Sequence, residues 1–454
     1  MSYERVPLNF HVKITLEIQL RSAQINLMNQ FHVHNLELKG LFSSLAEGTI
    51  CDKNRPIDSL DTIDGILRSL LSIEDMRSAG SFFTGDELST ELAARFIRPI
   101  DLHSVVLDPT CGAGNLLIAC SRKLPIDNSS LERTIGTWSK VLHGYDLYSS
   151  FVDATKYRLI IEAANRGAKI DSTLENLSDL LSNIIVKDAM TISSDSIKAV
   201  THCVMNPPFS MWPSPKTQIW KKGKVNAAAI ISLHVTNLLP TLSEVSAILP
   251  EVLRSGSRYA DWRTQISTGL VGNIELMGKF NPKTNIDVFF MFGVIEESSI
   301  AIKWQELSSS EVSVVGQYFK VCIGSVVPHR DAKTGNEYTY LTAKNTPKWE
   351  VLSEFPDTRK FSGTVYEPPF LVVRRTSSPS DNIRAKASVI LGKHPIAVEN
   401  HLIVIKPLDN KASTCERLMQ TLKNEESTSY LNSNIRCRHL TVGSVKTIPF
   451  KPQF

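Results

Sequence analysis

The tetrapeptide Asn206-Pro207-Pro208-Phe209 carries the residue types that a transfer reaction on a planar amine needs. It follows the short apolar run 202–205, which is typical of a buried strand. Proline fixes its own φ and favours extended geometry in the residue before it, so the Asn206 amide and the Phe209 ring are held in a set relation. The pattern predicts a rigid platform where a strand ends.

The chemistry that fits this platform is methyl transfer to the exocyclic amine of a nucleobase. The lone pair of adenine N6 is delocalised into the ring, and two acceptors, the Asn206 side-chain oxygen and the Pro207 carbonyl, could each take one N6 hydrogen and localise it. A target base in a duplex has to be flipped out first, and Phe209 would supply a stacking face for it. A tight turn with a core phenylalanine is the alternative.

Asp108, Asp146 and Asp188 each stand where another short apolar run ends. Four consecutive predicted strands thus end in a polar residue, which places these residues along the sheet edge where open α/β folds bind ligands. Asp146 is suited to accept ribose hydroxyl protons, although it could instead cap the following helix. Asp188 could bond an adenine amino group.

A small-residue turn, Pro109-Thr110-Cys111-Gly112-Ala113-Gly114, joins the first of these strands to a helical run at 115–122. Glycines in such a turn let the backbone approach a ligand closely. The turn lacks both the Gly-Lys-Ser/Thr and the Gly-x-Gly-x-x-Gly patterns, so a small zwitterionic cofactor fits better than a pyrophosphate. Upstream, the loop 81–85 opens a second helix whose first amides suit a carboxylate.

The remaining pattern predicts further elements of an α/β fold. Alternation at 11–18 is typical of a strand, and 61–71 has helical spacing. Basic and aromatic residues at 210–225, among them Lys221 and Lys222, suit a loop that contacts nucleic acid, with a plain solvated loop as an equal alternative. The other predicted elements are helices at 226–239 and 257–265 and strands at 245–249, 271–276 and 287–294.

Composition is that of an ordinary globular protein, with 42% hydrophobic and 21% charged residues among 454. The N-terminal residues lack a signal-peptide pattern, and no apolar run reaches the length of a membrane span, so we expect a cytoplasmic protein that does not contact a membrane. The seven cysteines include no Cys-x-x-Cys pair, which argues against a disulfide framework and against a zinc site. No metal is predicted.

Charge is unevenly divided along the chain. Residues 318–454 contain 20 Lys and Arg against 12 Asp and Glu, a balance of +8, while the whole chain carries +4. The charge that would attract a polyanion therefore lies at the C-terminal end.

With these motifs in order, residues 80–296 resemble the N6-adenine DNA methyltransferases, and in particular the modification subunits of type I restriction-modification systems. The resemblance implies S-adenosylmethionine as the cofactor. Its methionine end would be held by Thr84, Gly112 and Gly114, with Asp108 close by and Thr110 in the same cofactor-binding set. The resemblance also implies that Asp146 binds the ribose and Asp188 the adenine of the cofactor.

For the target base, the resemblance assigns amine binding to Asn206 with the Pro207 carbonyl, within the motif that Pro208 continues and Phe209 closes. Phe209 would stack on the flipped adenine. Phe280 matches the second aromatic that such enzymes place at the opposite edge of the base, and simple hairpin packing is its alternative. The long helical domain that precedes the catalytic fold in type I modification subunits is not evident in residues 1–60.

The C-terminal residues resemble one target-recognition domain of a type I specificity subunit. The resemblance rests on the runs 324–330, 368–375 and 433–449. Their arginines are the candidate DNA contacts, and these are Arg374, Arg375, Arg436 and Arg438. Phosphate contacts of this kind would make DNA affinity fall steeply with salt.

The sequence therefore predicts a doubly wound, seven-stranded Rossmann-like methyltransferase sheet joined to a C-terminal α/β target-recognition domain. The predicted divisions are an N-terminal segment of unknown role at 1–60, the methyltransferase domain at 61–296, a linker at 297–317 and the recognition domain at 318–454. Expected partners are double-stranded DNA and, as a candidate, a restriction endonuclease or other subunit of such a system. The alternative functions are protein glutamine methylation and a non-catalytic DNA-binding component.

Overall fold

A computed structural model describes residues 31–49, 84–217, 219–220, 222–280, 286–296, 302–304 and 313–451. By compactness the chain divides into two units, Met1–Leu253 with Arg258–Lys303 and Arg254–Ser257 with Trp304–Phe454. The strand predicted at 11–18 and the helix predicted at 61–71 lie outside the described residues. The three predicted boundaries between the four divisions of the chain stay predictions.

The first unit is built on one seven-stranded sheet with the order β3-β2-β1-β4-β7-β9-β8. The strands from β3 to β7 run parallel, and β9 pairs antiparallel with both β7 and β8. The sheet confirms the predicted α/β fold class. Its strands are β1 Val106–Asp108, β2 Leu142–Asp146, β3 Ile184–Val186, β4 His202–Met205, β7 Glu244–Pro250, β8 Leu270–Lys279 and β9 Asp287–Ile295.

Two of these strands show why the sequence forms a parallel sheet. All residues of β1 and β4 are buried, and continuous apolar runs of this kind are typical of parallel strands covered on both faces. Within the sheet, Val106 of β1 lies opposite Leu142 of β2 on one side and opposite His202 of β4 on the other. The order of strands along the chain reverses between β1 and β4, and ligands bind at such a point in open α/β sheets.

Helices connect these strands, and their apolar faces form the core together with the sheet. Trp138 is among the largest fully buried side chains of the described residues, and its indole N–H donates to the Pro125 carbonyl at 3.0 Å. Residues 31–46 are also helical and pack into the same core through Phe31 and Leu38. The helices are α1 Asp86–Ala93, α2 Asn115–Ser121, α3 Leu131–Val141, α4 Ser149–Asn165, α5 Leu174–Leu180, α6 Ser194–Ile197, α7 Ala227–Leu238, α8 Glu251–Ser255 and α9 Ala260–Gly269.

The two ends of the stretch predicted as a loop at 210–225 pair with each other and form a short β-hairpin. β5 (Met211–Pro213) pairs antiparallel with β6 (Lys224–Asn226). Asn226 then caps α7, because its side-chain oxygen accepts the Ala228 N–H at 3.0 Å. The predicted helix start at residue 226 is confirmed, and the hairpin carries the chain directly from the tetrapeptide into that helix.

The second unit is also a mixture of sheets and helices. Five strands form a sheet in the order β10-β17-β14-β15-β12, and three form another in the order β13-β11-β16. The strands are β10 Phe319–Ile323, β11 Asn336–Leu341, β12 Val351–Leu352, β13 Thr358–Phe361, β14 Phe370–Arg374, β15 Ala387–Ile390, β16 Ile396–Val398 and β17 Leu402–Pro407. The helices are α10 Val315–Tyr318, α11 Ala412–Lys423, α12 Glu425–Asn434 and α13 Val442–Lys446.

Candidate active site at the carboxyl edge of the sheet

The turn after β1 contains two glycines whose backbone conformations disfavour other residues. Gly112 and Gly114 adopt positive φ angles of 52° and 86°. A Cβ at Gly114 would come within 2.8 Å of the Thr155 side chain, so this position is closed to other residues by packing as well as by conformation. Thr155 in turn donates from Oγ1 to the Gly112 carbonyl at 2.8 Å. The cradle is therefore held from behind by α4.

Asp108 lies beneath this turn and holds its start. Its carboxylate accepts the Thr110 N–H at 3.1 Å, and the residue is only 1% exposed. Burial, opposed by that hydrogen bond and reinforced by the charge of Asp146, raises the pKa of Asp108 to about 8. Asp108 thus shapes the turn, and its predicted contact with a cofactor stays a prediction.

Asp146 ends β2 next to the turn. One carboxylate oxygen accepts the Gly112 N–H at 3.0 Å and the other accepts the Tyr148 N–H at 3.0 Å. Burial raises the pKa of Asp146 to about 6. The capping alternative is therefore realised in part, since one oxygen binds the backbone just ahead of α4, while the other fastens the glycine turn to the end of β2.

Asp188 follows β3, on the same edge of the sheet, and is half-buried. Its carboxylate accepts the Met190 N–H at 2.8 Å and caps the short 3₁₀ turn Ala189–Thr191. The predicted bond to a cofactor adenine is not tested by this arrangement.

Thr84 and Asn206, which the sequence assigned to different tasks, are in direct contact. The Asn206 side-chain nitrogen donates to Thr84 Oγ1 at 3.0 Å. Thr84 is 3% exposed and precedes α1, and its backbone carbonyl accepts from Asn115 Nδ2 at 2.5 Å. The bond turns Asn206 Nδ2 toward Thr84, which leaves the side-chain oxygen on the other side of the amide group.

The rest of the tetrapeptide is anchored by the cap of α7. Asn226 is buried, and its Nδ2 donates to the Phe209 carbonyl at 2.9 Å. Pro207 is buried, whereas Pro208 and Phe209 are half-buried. The platform predicted at the end of β4 is therefore fixed at both ends, by Thr84 at its asparagine and by Asn226 at its phenylalanine.

Phe280 lies against Phe209. Their ring centroids are 5.8 Å apart with an interplanar angle of 72°, an edge-to-face contact. Phe280 is 4% exposed and part of the main core, while Phe209 packs against that core from its border. The structure thus brings the two predicted stacking residues together. The burial of Phe280 is what the alternative interpretation, simple packing, predicts for this residue.

Two polar residues at this site were missed from the sequence. Asn115 is the first residue of α2, and its side-chain oxygen accepts from Arg158 Nη1 at 2.6 Å. The same Arg158 nitrogen donates to the Ala113 carbonyl of the glycine turn. Arg158 follows Phe151 and Thr155 at helical spacing on the buried face of α4. A charged residue on an apolar helix face was the available signal.

In the second unit, two of the predicted DNA contacts are brought side by side by backbone hydrogen bonds. The Leu440 N–H donates to the Arg375 carbonyl and the Ser377 N–H to the Arg438 carbonyl, both at 2.8 Å. Arg438 is exposed and Arg375 is half-buried. These two arginines and His439, which pairs with Thr376 in a β-bridge, form one basic group of residues.

The other predicted contacts are more engaged or lie elsewhere. Arg374 is half-buried and donates from Nη2 to the Thr346 carbonyl at 2.9 Å, and Arg436 is half-buried. Lys222, in the first unit, is exposed, and its carbonyl accepts from Arg258 at 2.9 Å. Lys221 lies outside the described residues.

Across the ranges that the structure describes, no group of three or more His, Cys, Asp or Glu side chains is arranged to hold a metal ion. Of the helices described, none is both long and apolar enough to cross a bilayer.

One protein-family model matches the part of the chain that contains this site. Residues 61–236 match the family model described as N-6 DNA Methylase. The matched range contains the glycine turn, the three strand-ending aspartates and the tetrapeptide, and it confirms the resemblance predicted from those motifs. A comparison with curated proteins found no match.

Solved structures resemble the chain in fold. The type IIL restriction-modification enzyme MmeI, in complex with DNA, matches with a TM-score of 0.53 at 10% identity over 86% of this chain and 70% of that one. The type IIG restriction endonuclease BpuSI matches with a TM-score of 0.43 at 12% identity over 87% of this chain, which spans 61% of that enzyme's length. A modification subunit of a putative type I restriction enzyme from Vibrio vulnificus YJ016 gives a TM-score of 0.35 at 16% identity, over 54% of this chain and 51% of that one.

Proposed function

We propose that this protein transfers a methyl group from S-adenosylmethionine to adenine N6 in double-stranded DNA, at a specific site and with the target base flipped out of the helix. The observation that carries the proposal is the orientation of Asn206. Its Nδ2 is turned to Thr84 at 3.0 Å, so the side-chain oxygen lies on the opposite side of the amide, as an acceptor for an amine requires.

Asn206 and Pro207 would act on the substrate amine as neutral acceptors. The Asn206 oxygen takes one N6 hydrogen and the Pro207 carbonyl takes the other, which localises the nitrogen lone pair for attack on the methyl carbon. Neither acceptor needs a shifted pKa, and neither can keep a proton, so the proton lost from the methylated amine passes to water. Because the buried β4 and the Asn226 cap hold the tetrapeptide at both ends, this geometry exists before the substrate arrives.

The residues around the glycine turn fit S-adenosylmethionine. Thr110 Oγ1 is buried and has no hydrogen-bond partner among the residues that the structure describes, so it is a polar atom available to a ligand. The positive φ at Gly112 and the closed Cβ position at Gly114 keep the backbone bare, as close approach by a ligand requires. Asp146 would accept from the ribose and Asp188 from the adenine amine. When bound, the cofactor supplies an electrophilic methyl group on a sulfonium.

Phe209 would replace the stacking that a flipped adenine loses. The ring is half-buried and its backbone is pinned by Asn226, so it can offer a rigid face to a base. Phe280 would support Phe209 from the core through their edge-to-face contact rather than hold the base directly. In this arrangement Phe209 stacks on the target base, and Phe280 packs against Phe209 on the side away from the base.

The second unit would read the DNA. Its sequence range 318–454 has a net charge of +8, and Arg375 and Arg438 lie side by side in it. Phosphate contacts fix the position of a protein on a duplex and weaken with salt. We further propose a cytoplasmic location and, as a candidate partner, a restriction endonuclease or other subunit of a restriction-modification system.

Methylation of a protein glutamine is the competing catalytic function, because it also presents a planar amine to an Asn-Pro-Pro-aromatic motif. The basic C-terminal range argues against it, since a peptide substrate gives no reason for that charge. A non-catalytic DNA-binding role is argued against by the buried Thr110 hydroxyl in the cofactor cradle, which no described residue hydrogen-bonds. Methyl-labelled cofactor incubated with DNA and with protein extract separates the three: label in DNA supports the proposal, label in protein or in neither contradicts it.

A further inference from the structure

Arg158 connects the glycine turn to the proposed catalytic asparagine through four hydrogen bonds. Its Nη1 donates to the Ala113 carbonyl and, at 2.6 Å, to Asn115 Oδ1. Asn115 Nδ2 donates to the Thr84 carbonyl at 2.5 Å, and Thr84 Oγ1 accepts from Asn206 at 3.0 Å. The three intermediate residues are each at least 95% buried, so the bonds form in a region closed to water.

We propose that Arg158 is a positioning residue that sets the orientation of Asn206 and couples it to the cofactor turn. The proposal rests on the function proposed above. Arg158 touches neither reacting group, but it holds both the backbone that would cradle the cofactor and, through Asn115 and Thr84, the amide that would bind the target amine. A shift of the turn on cofactor binding would therefore be passed to Asn206.

The direction of the bonds makes the arrangement specific. Asn115 accepts from Arg158 with its oxygen, so its nitrogen is the atom that faces the Thr84 carbonyl. That carbonyl precedes α1, and fixing it fixes the Thr84 side chain against Asn206. Small errors in such geometry are costly, because displacing a reacting group by about 1 Å lowers the rate roughly 100-fold.

Asn115→Asp is the most informative variant. The new carboxylate keeps an acceptor for Arg158, so the buried guanidinium retains its partner and the fold is preserved. It places a second oxygen against the Thr84 carbonyl, where the native nitrogen donated at 2.5 Å, and so breaks the connection at that bond alone. We expect a loss of at least tenfold in the single-turnover rate of methyl transfer, with cofactor and DNA affinities changed less than threefold.

Arg158→Gln removes the other end of the connection, and Arg166→Gln on the same helix is its matched control. Arg166 also donates to two backbone carbonyls, those of Ser121 and Leu124, but has no bond to Asn115 or Thr84. Arg158→Gln should slow single-turnover transfer at least tenfold, and in the Arg158→Gln/Thr84→Val double variant the two losses should combine to less than their product. Arg166→Gln should leave the rate within threefold of wild type.

Two results would overturn this inference: an Asn115→Asp enzyme with the wild-type single-turnover rate, or independent, multiplicative losses in the Arg158→Gln/Thr84→Val double variant. The same double-variant cycle read in midpoint temperatures of unfolding tests the connection without catalysis, because connected residues give a combined shift smaller than the two single shifts together. A wild-type chain that methylates no DNA, with non-additive unfolding shifts, would reject the proposed function and keep the connection.

Discussion

The hydroxyl of Thr84 accepts a hydrogen bond from the side-chain nitrogen of Asn206 at 3.0 Å, across 122 residues of sequence. An asparagine amide can present either its oxygen or its nitrogen to a substrate, and only the oxygen can accept from an amine. In the structure the Thr84 hydroxyl accepts from the nitrogen, and in this arrangement the oxygen lies on the other side of the amide. Thr84 therefore contacts the tetrapeptide, although the sequence assigned it only to the predicted cofactor site.

Replacing Thr84 tests whether its hydrogen bond orients the Asn206 side chain. Thr84→Val keeps the shape but removes the acceptor, so Asn206 loses its preferred orientation, and the methyl-transfer rate should fall by roughly tenfold to 100-fold. Thr84→Ser keeps the hydroxyl and should retain most of the rate. Single-turnover transfer of labelled methyl groups to DNA measures both variants. Equal rates for the serine and valine enzymes would remove Thr84 from the orientation of Asn206.

The aromatic pair should separate into a binding residue and a core residue. Phe280 is 4% exposed, so Phe280→Ala should cost about 3–5 kcal/mol in free energy of unfolding. Phe209→Ala should cost less stability but reduce base flipping, measured as the fluorescence rise of an aminopurine at the target position. If Phe280→Ala were as stable as wild type and lost only flipping, the order of the two rings behind the base would have to be reversed.

Cofactor affinity should depend on the ionisation of Asp146. Burial raises the pKa of this carboxyl to about 6, so the carboxylate that we propose accepts ribose hydroxyls predominates above that pH and is lost below it. The dissociation constant of S-adenosylmethionine, measured by calorimetry, should rise as the pH falls below 6. Asp146→Asn should bind more weakly with little pH dependence, whereas an unchanged pH profile in this variant would assign the titration to another group.

DNA affinity should depend on the adjacent arginines of the second unit. An Arg375→Ala/Arg438→Ala variant should bind DNA more weakly and lower the slope of log affinity against log salt by about 1 to 2, because roughly one counterion is released for each phosphate contact. Lys411→Ala, an exposed residue that precedes α11, is the matched control for lost charge. A double variant that kept both affinity and slope would place the recognition surface elsewhere.

The strands and their polar ends could be predicted because each is a short, largely apolar run followed by a polar residue, as in the buried β4 before Asn206. The contacts among those ends could not. Whether Asp146 accepts from the Gly112 N–H, and whether Phe280 is buried, depends on packing between segments far apart in sequence. Arg158 was missed because no helix was predicted over 149–165, so its position on the same helix face as Phe151 and Thr155 was not recognised.

The strand pairing within 210–225 was missed for a related reason. Prolines and lysines there are typical of a loop, yet Met211–Pro213 pairs with Lys224–Asn226. Asn226 ends this pairing and begins α7, so one residue closes the hairpin, caps the helix and holds the Phe209 carbonyl. These three roles of one residue depend on the tertiary structure. Only helix capping among them has a recognisable signal in the sequence.

The most direct measurement is the sequencing of DNA from cells that express this chain alone, with detection of methylated adenines, beside cells that express Asn206→Ala. We predict N6-methyladenine at one sequence motif with the wild-type chain and none with the variant, while the purified variant still binds S-adenosylmethionine with nearly wild-type affinity. Methylated adenines that persist in the Asn206→Ala cells would contradict the role assigned to the tetrapeptide.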